Sequence, residues 1–139
     1  MMKKIFLACV FSAVFAFGAG NAEGKSSEAI LPQKAEYEIL QILVGGKTIK
    51  ANGDAIFGVD GVRIYGKTSC NSYFTDFVRV DGVTIEVSTN GGATKMMCDR
   101  ESMEFERVFL QNLVGVFSVV ESSEGLNLKG EKMEILLKK

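Results

Sequence analysis

Three cysteines, 17 carboxylates and an adjacent pair of methionines are the side chains with most chemistry to offer here, and there is no histidine. Without imidazole, Ser-His-Asp triads, Cys-His dyads and histidine metal sites are excluded. Cys70 and Cys98 lie far apart, and neither belongs to a Cys-x-x-Cys redox motif. Two thiols without histidine make a poor zinc site. The pair reads instead as a structural disulfide, restricting the unfolded chain by roughly 3–4 kcal/mol on the loop-entropy model. Met96 and Met97 beside Cys98 offer soft ligands, but packing next to the disulfide is the simpler reading. Glu101, Glu104 and Glu106 open an amphipathic segment and read as a solvated face. Asp60, Asp76 and Asp81 read as turn or surface residues, because no Asp-x-Asp-x-Asp-Gly calcium loop is present. Gly91-Gly92 lacks the phosphate-loop pattern. These residues suggest no enzyme, no metal and no cofactor.

The balance of 16 basic and 17 acidic side chains argues against nucleic acid as a partner. With 139 residues, 47% hydrophobic and 24% charged, one small globular domain is expected. Lys3 and Lys4 precede an apolar run from Ile5 to Phe17, too short for a stable membrane span. Gly20 and Ala22 then supply a small-x-small cleavage pattern, so 1–22 reads as a signal peptide. Cys9 sits before most of the apolar run, where a lipobox cysteine would follow it, which argues against lipid anchoring. The mature protein is therefore expected in the periplasm or secreted. Cys70 and Cys98 remain in it as an even pair. Residues 23–35 are polar and aperiodic and read as a flexible leader, leaving 36–139 as the domain.

Hydrophobic periodicity outlines the elements that must position these residues. Tyr37 to Leu43 suggests a first strand, although its crowded apolar residues leave a helix open, and Gly45-Gly46 marks a turn. Ala55–Val59 and Val62–Gly66 flank Asp60-Gly61, a type I′ hairpin signal. Tyr73–Val80 and Val83–Ser88 flank Asp81-Gly82, and the latter segment alternates strictly. Asn90-Gly91-Gly92 breaks the ladder. Phe105, Val108, Phe109, Leu113 and Val116 then follow helical spacing, with Asp99 or Ser102 as cap and Gly115 as stop. Val116–Glu121, Leu126–Lys129 and Met133–Leu137 read as three closing strands. Short turns favour antiparallel pairing. The fold class is α+β: a mainly antiparallel curved sheet or partial barrel with one helix packed on it.

Two local motifs add a resemblance. Gly66-Lys67-Thr68-Ser69-Cys70-Asn71-Ser72-Tyr73 is followed by Ala93-Thr94-Lys95-Met96-Met97-Cys98 and then by the helix bearing Met103-Glu104 and Phe109-Leu110. In this order the segments resemble the META/HslJ domain family, small bacterial envelope domains of heat-shock protein HslJ type. Ser69 stands where many members have glycine, Lys95 replaces arginine, and Tyr37 stands near a frequent tryptophan. The resemblance implies a small lipocalin-like barrel or curved sheet with a helix, with Asn71, Tyr73, Thr94, Lys95 and Met96 as structural motif residues. Asn71 would bond local backbone, and Tyr73 and Met96 would fill the core. It also implies a role in envelope or heat stress tolerance, linked to antibiotic resistance in relatives, without enzymatic activity. An unidentified envelope protein is the expected partner. A small apolar ligand held by the sheet, or an interaction of protease-inhibitor type, is the alternative. If export proceeds as read, intact mass of the periplasmic protein will place its first residue at Glu23. A mass that retains Met1, or a lipid on Cys9, would contradict this.

Overall fold

The computed structural model describes residues 29–139. Its elements run β1 (Lys34–Val44), β2 (Lys47–Lys50), β3 (Ala55–Asp60), β4 (Arg63–Thr68), β5 (Ser72–Asp81), β6 (Thr84–Val87), β7 (Gly92–Ala93), α1 (Arg100–Asn112), β8 (Gly115–Glu121), β9 (Gly125–Gly130) and β10 (Met133–Lys138). Strands β1, β3, β4, β5, β6, β8, β9 and β10 pair in succession, all antiparallel, and β10 returns to β1. Among the described residues, the result is a closed eight-stranded barrel with one helix. The expected partial barrel is corrected in this respect: the sheet closes and dominates the fold. Closure rests on the length of β1. Its first half pairs with β3 on one edge, while residues from Glu38 onward pair with β10 on the other. A register shift between Ile39 and Gln41 bends the strand between these tasks.

Two short elements escape the periodicity. β2 continues the hairpin from β1 beyond the barrel, through Gly45 (φ 58°) and Gly46 (φ 77°). Positive φ at both central residues is the type I′ requirement, which glycine meets without a Cβ penalty. The turn expected at Asp60-Gly61 differs. Asp60 pairs with Arg63, so the loop residues are Gly61 and Val62, and of these only Gly61 has positive φ. That is the type II′ pattern, with glycine first. β7, within the expected break, pairs with the start of β5.

Alternation along the strands sends one set of side chains inward. Phe57, Ile64, Phe77, Ile85, Phe117 and Ile135 are buried in the interior. An eight-stranded barrel is just wide enough for side chains to fill. Large and small residues are matched across strands. Phe117 lies against Gly130, its direct partner on β9, where a Cβ would come within 2.7 Å of the ring. On the outside, the Tyr65 ring covers Gly58 and its hydroxyl donates to Glu36 at 2.9 Å.

The two ends are closed differently. At one end Leu31 is buried, and Arg79 donates to the carbonyls of Leu31 (2.7 Å), Pro32 (3.0 Å) and Gly61 (3.2 Å). Ile30 N–H also bonds Gly82 O at 3.0 Å. The expected flexible leader thus ends earlier than its assigned limit: residues 30–35 belong to the barrel. The signal, the cleavage site, Cys9 and residues 23–28 lie outside the described residues.

At the other end α1 lies across the mouth. Asp99 caps it, accepting from Ser102 N–H at 3.1 Å, and Ser102 is a first-turn residue. The helix stops at Asn112, before Gly115, whose φ of 92° starts β8 instead. Val116, whose spacing continues the helical face, lies in the following strand as the stop at Gly115 implied, and it points outward from β8. Ser102, Phe105, Val108 and Phe109 form the buried face, and Glu104 and Arg107 are exposed and paired at 2.9 Å. Phe109 meets Tyr73 edge-on with ring centroids 5.2 Å apart, and stacks near-parallel on Phe105 at 5.7 Å. Phe109→Ala should cost about 3–5 kcal/mol, as for other buried aromatics. Against a typical total of about 5–15 kcal/mol this is a large loss, read directly by denaturant melts. A cost under about 1 kcal/mol would mean that the helix does not anchor the mouth.

Candidate functional site

The two sequence motifs meet at the helix-capped mouth. β4 ends at Thr68, and the chain turns through Ser69, Cys70 and Asn71 into β5. Thr68 N–H bonds Asn71 O at 2.9 Å, and Asn71 N–H bonds Thr68 Oγ1 at 3.2 Å, closing the turn. Ser69 has φ 77°, the left-handed conformation that suits glycine. The serine keeps the backbone course that a glycine would give, at some local strain.

Asn71 is buried and its side chain is fully used. Its Oδ1 accepts from Met96 N–H (2.6 Å) and Thr94 Oγ1 (2.8 Å). Its Nδ2 donates to Met96 O (3.2 Å) and to both Glu106 oxygens, at 2.9 and 3.0 Å. Thr68 Oγ1 donates to Glu106 Oε1 at 2.7 Å. One amide therefore ties the turn, the second motif and the helix together. Asn52 adds a weaker tie from the β2–β3 connection, donating to Ser102 Oγ at 3.2 Å.

Cys70 and Cys98 stand at disulfide distance, with Cα atoms 6.1 Å apart; Cys70 is buried and Cys98 exposed. Tyr73 is in the core, and its hydroxyl donates to Ile56 O at 2.9 Å. Burial holds that phenol well above the usual tyrosine range. Hydrogen bonds from the Ser102 side chain, then its backbone, pull the Asp99 carboxyl below the usual range. Lys95 is exposed and makes no ion pair among the described residues.

Two readings of the sequence are corrected here. Met96 does not fill the core: it is 58% exposed and Met97 is 86% exposed. Met96 contributes its backbone to Asn71, and that requirement is indifferent to side-chain type. Glu106 is not part of a solvated face; it is the acceptor on which Asn71 and Thr68 converge. Its signal was present in the helical spacing, since Ser102, Glu106, Phe109 and Leu113 fall on one stripe. Asp76 pairs with Arg63 at 3.6 Å on the surface, and Asp81 accepts from Val83 N–H at 2.9 Å in its turn. Among the described residues there is no cluster of three or more His, Cys, Asp or Glu placed to hold a metal. Nor is any helix there long and apolar enough to cross a membrane.

A closed antiparallel barrel, plugged by a helix that an asparagine–glutamate contact fastens to a cysteine-bearing turn, defines a small single-domain β-barrel class. The META domain pattern matches residues 31–139, and the chain belongs to that family. It is similar in fold to the NMR structure of a protein from Burkholderia xenovorans, at 14% identity, with a TM-score of 0.58 over 96% of this chain and 97% of that one. No curated protein matches it in sequence.

The Glu106 contact can be tested by comparing neighbouring glutamates. Glu106→Ala strands the Asn71 amide and the Thr68 hydroxyl and should cost about 1.5–3 kcal/mol. Glu104→Ala removes only an exposed pair with Arg107 and should cost under about 1 kcal/mol. Equal effects in urea melts would refute the assignment.

Proposed function

We propose that the chain is an exported, non-enzymatic envelope domain that acts through protein contact in stress tolerance. The observation that carries this reading is how the side chains are used. The interior is packed with buried aliphatic and aromatic groups, and the buried polar residues at the mouth are engaged with one another. Apolar side chains are instead spread over the outer wall. Val78 and Val80 project from β5, and Val116 and Val120 from β8, with Val62 and Val83 in neighbouring turns, all exposed. Val78 and Val116 flank Glu86 in one cross-strand row. Exposed apolar patches with a polar rim favour protein partners.

The alternative, an apolar ligand within the barrel, finds less support, because the space a ligand would need is taken by Phe57, Phe77, Phe117 and their neighbours. The reading of export is supported by the charged and apolar N-terminal sequence and by the Cys70–Cys98 pairing, which suits an oxidising compartment.

Complementation of a deletion strain under heat or antibiotic stress tests the function. Asp76→Asn, Glu86→Gln and Glu104→Gln should each restore growth, whereas Val78→Lys with Val116→Lys should fold and fail. A carboxylate variant that melts normally yet does not complement would point to a specific charged site and overturn the non-enzymatic reading.

A further inference from the structure

The barrel wall has a gap beside the second motif. β6 pairs with β8 only as far as Val87 and Gly115, whereas β5 runs on toward the mouth, accompanied there by β7. β7 pairs with β5 along one edge, and among the described residues its other edge has no strand against it. Thr94 N–H bonds Ser72 O, which makes positions 94 and 92 the hydrogen-bonded ones facing β5. In an antiparallel ladder the intervening residue turns its N–H and C=O the other way. Ala93 therefore turns a donor and an acceptor toward the gap that have no partner among the described residues.

The gap is a groove of about 360 Å³. Phe74, Leu110, Leu113 and Val114 give it an apolar lining, and Lys95 stands at its rim. Lys95 also borders a neighbouring hollow of about 440 Å³ along α1, together with Arg100. The two glutamates in that hollow are committed, Glu104 to Arg107 and Glu106 to Asn71 and Thr68. The partners of Glu106 are neutral and leave its charge in place, but Lys95, Arg100 and Arg107 outnumber the two carboxylates, and Lys95 brings that positive excess to the rim of the groove.

We propose that this groove binds an extended acidic–apolar peptide segment by strand addition to β7. The peptide backbone pairs with Ala93. One apolar side chain enters between Phe74 and Leu113, and a carboxylate two positions away, on the same face of the strand, meets Lys95. Strand addition of this kind takes affinity from main-chain bonds and selectivity from pockets for alternate side chains. The site is separate from the valine-bearing outer wall and does not depend on export or on a stress role.

Selection of a random capped hexapeptide library on the immobilised protein tests the proposal. Enriched sequences should carry an acidic residue two positions from an apolar one. Amide shifts in the protein on adding a selected peptide should concentrate at 91–95 and 110–114. Lys95→Glu, an exposed substitution that leaves the fold intact, should weaken the selected peptide by about 10-fold or more and favour its lysine counterpart. Ala93→Pro, which removes the donor, should abolish binding, and N-methylation of the peptide's pairing amide should do the same with the protein unaltered. The proposal fails if nothing is enriched. It fails equally if the enriched peptides are indifferent to Lys95→Glu, or if their shifts fall on the valine wall or on β2.

Discussion

The contact between the Asn71 amide and the Glu106 carboxylate organises the mouth of this barrel. A helix laid across an open barrel end needs more than apolar adhesion, because such adhesion has no direction. The phenylalanines of α1 supply burial, and Glu106 supplies the register. Its carboxylate accepts from Asn71 and Thr68 at one rotational setting of the helix, the one that also places Phe109 against Tyr73. Charge-assisted bonds of this type are about twice as strong as neutral ones. The same Asn71 side chain grips both backbone groups of Met96, so the segment leading to Cys98 and the helix is held from the same atom cluster. The cysteine pair then adds a covalent tie where hydrogen bonding already sets the geometry.

The barrel wall follows a complementary logic. Its small residues lie where rings from adjacent strands need room: Phe117 over Gly130 inside, Tyr65 over Gly58 outside. Such pairs let a narrow barrel hold aromatic groups without spreading its strands. A Cβ at Gly58 would come within 2.3 Å of the Tyr65 ring, so Gly58 cannot gain a side chain while the ring keeps its place.

Much of this architecture was legible in the sequence, for definite reasons. Strict alternation from Val83 to Ser88 and the i, i+3, i+4 spacing around Phe105 report local geometry directly. The motif order around Asn71 and Cys98 carried the family. What escaped was non-local or unusually polar. β2 lies outside the barrel core, so its Lys-Thr-Ile-Lys sequence carries little apolar signal, and β7 is two small residues in a glycine-rich stretch. Glu106 was hidden by company: three glutamates at a helix start look alike until the turn at Asn71 is placed beneath one of them. Closure was the largest omission, because periodicity says which face of β1 is buried but not which strand occupies its second edge.

That closure bears on how the chain acquires its fold. The first and last strands of the barrel are hydrogen-bonded neighbours, so β1 lacks half of its partners until β10 has been made. Pairings of such long sequence separation form slowly, because the intervening loop must be ordered first. On a ribosome, the nascent polypeptide cannot complete its barrel before β10 has been made. For a protein threaded unfolded through a translocation pore, as the proposed route requires, this delay is useful. On that proposed route, the late pairing of β1 with β10 favours closing the barrel after transit rather than before it.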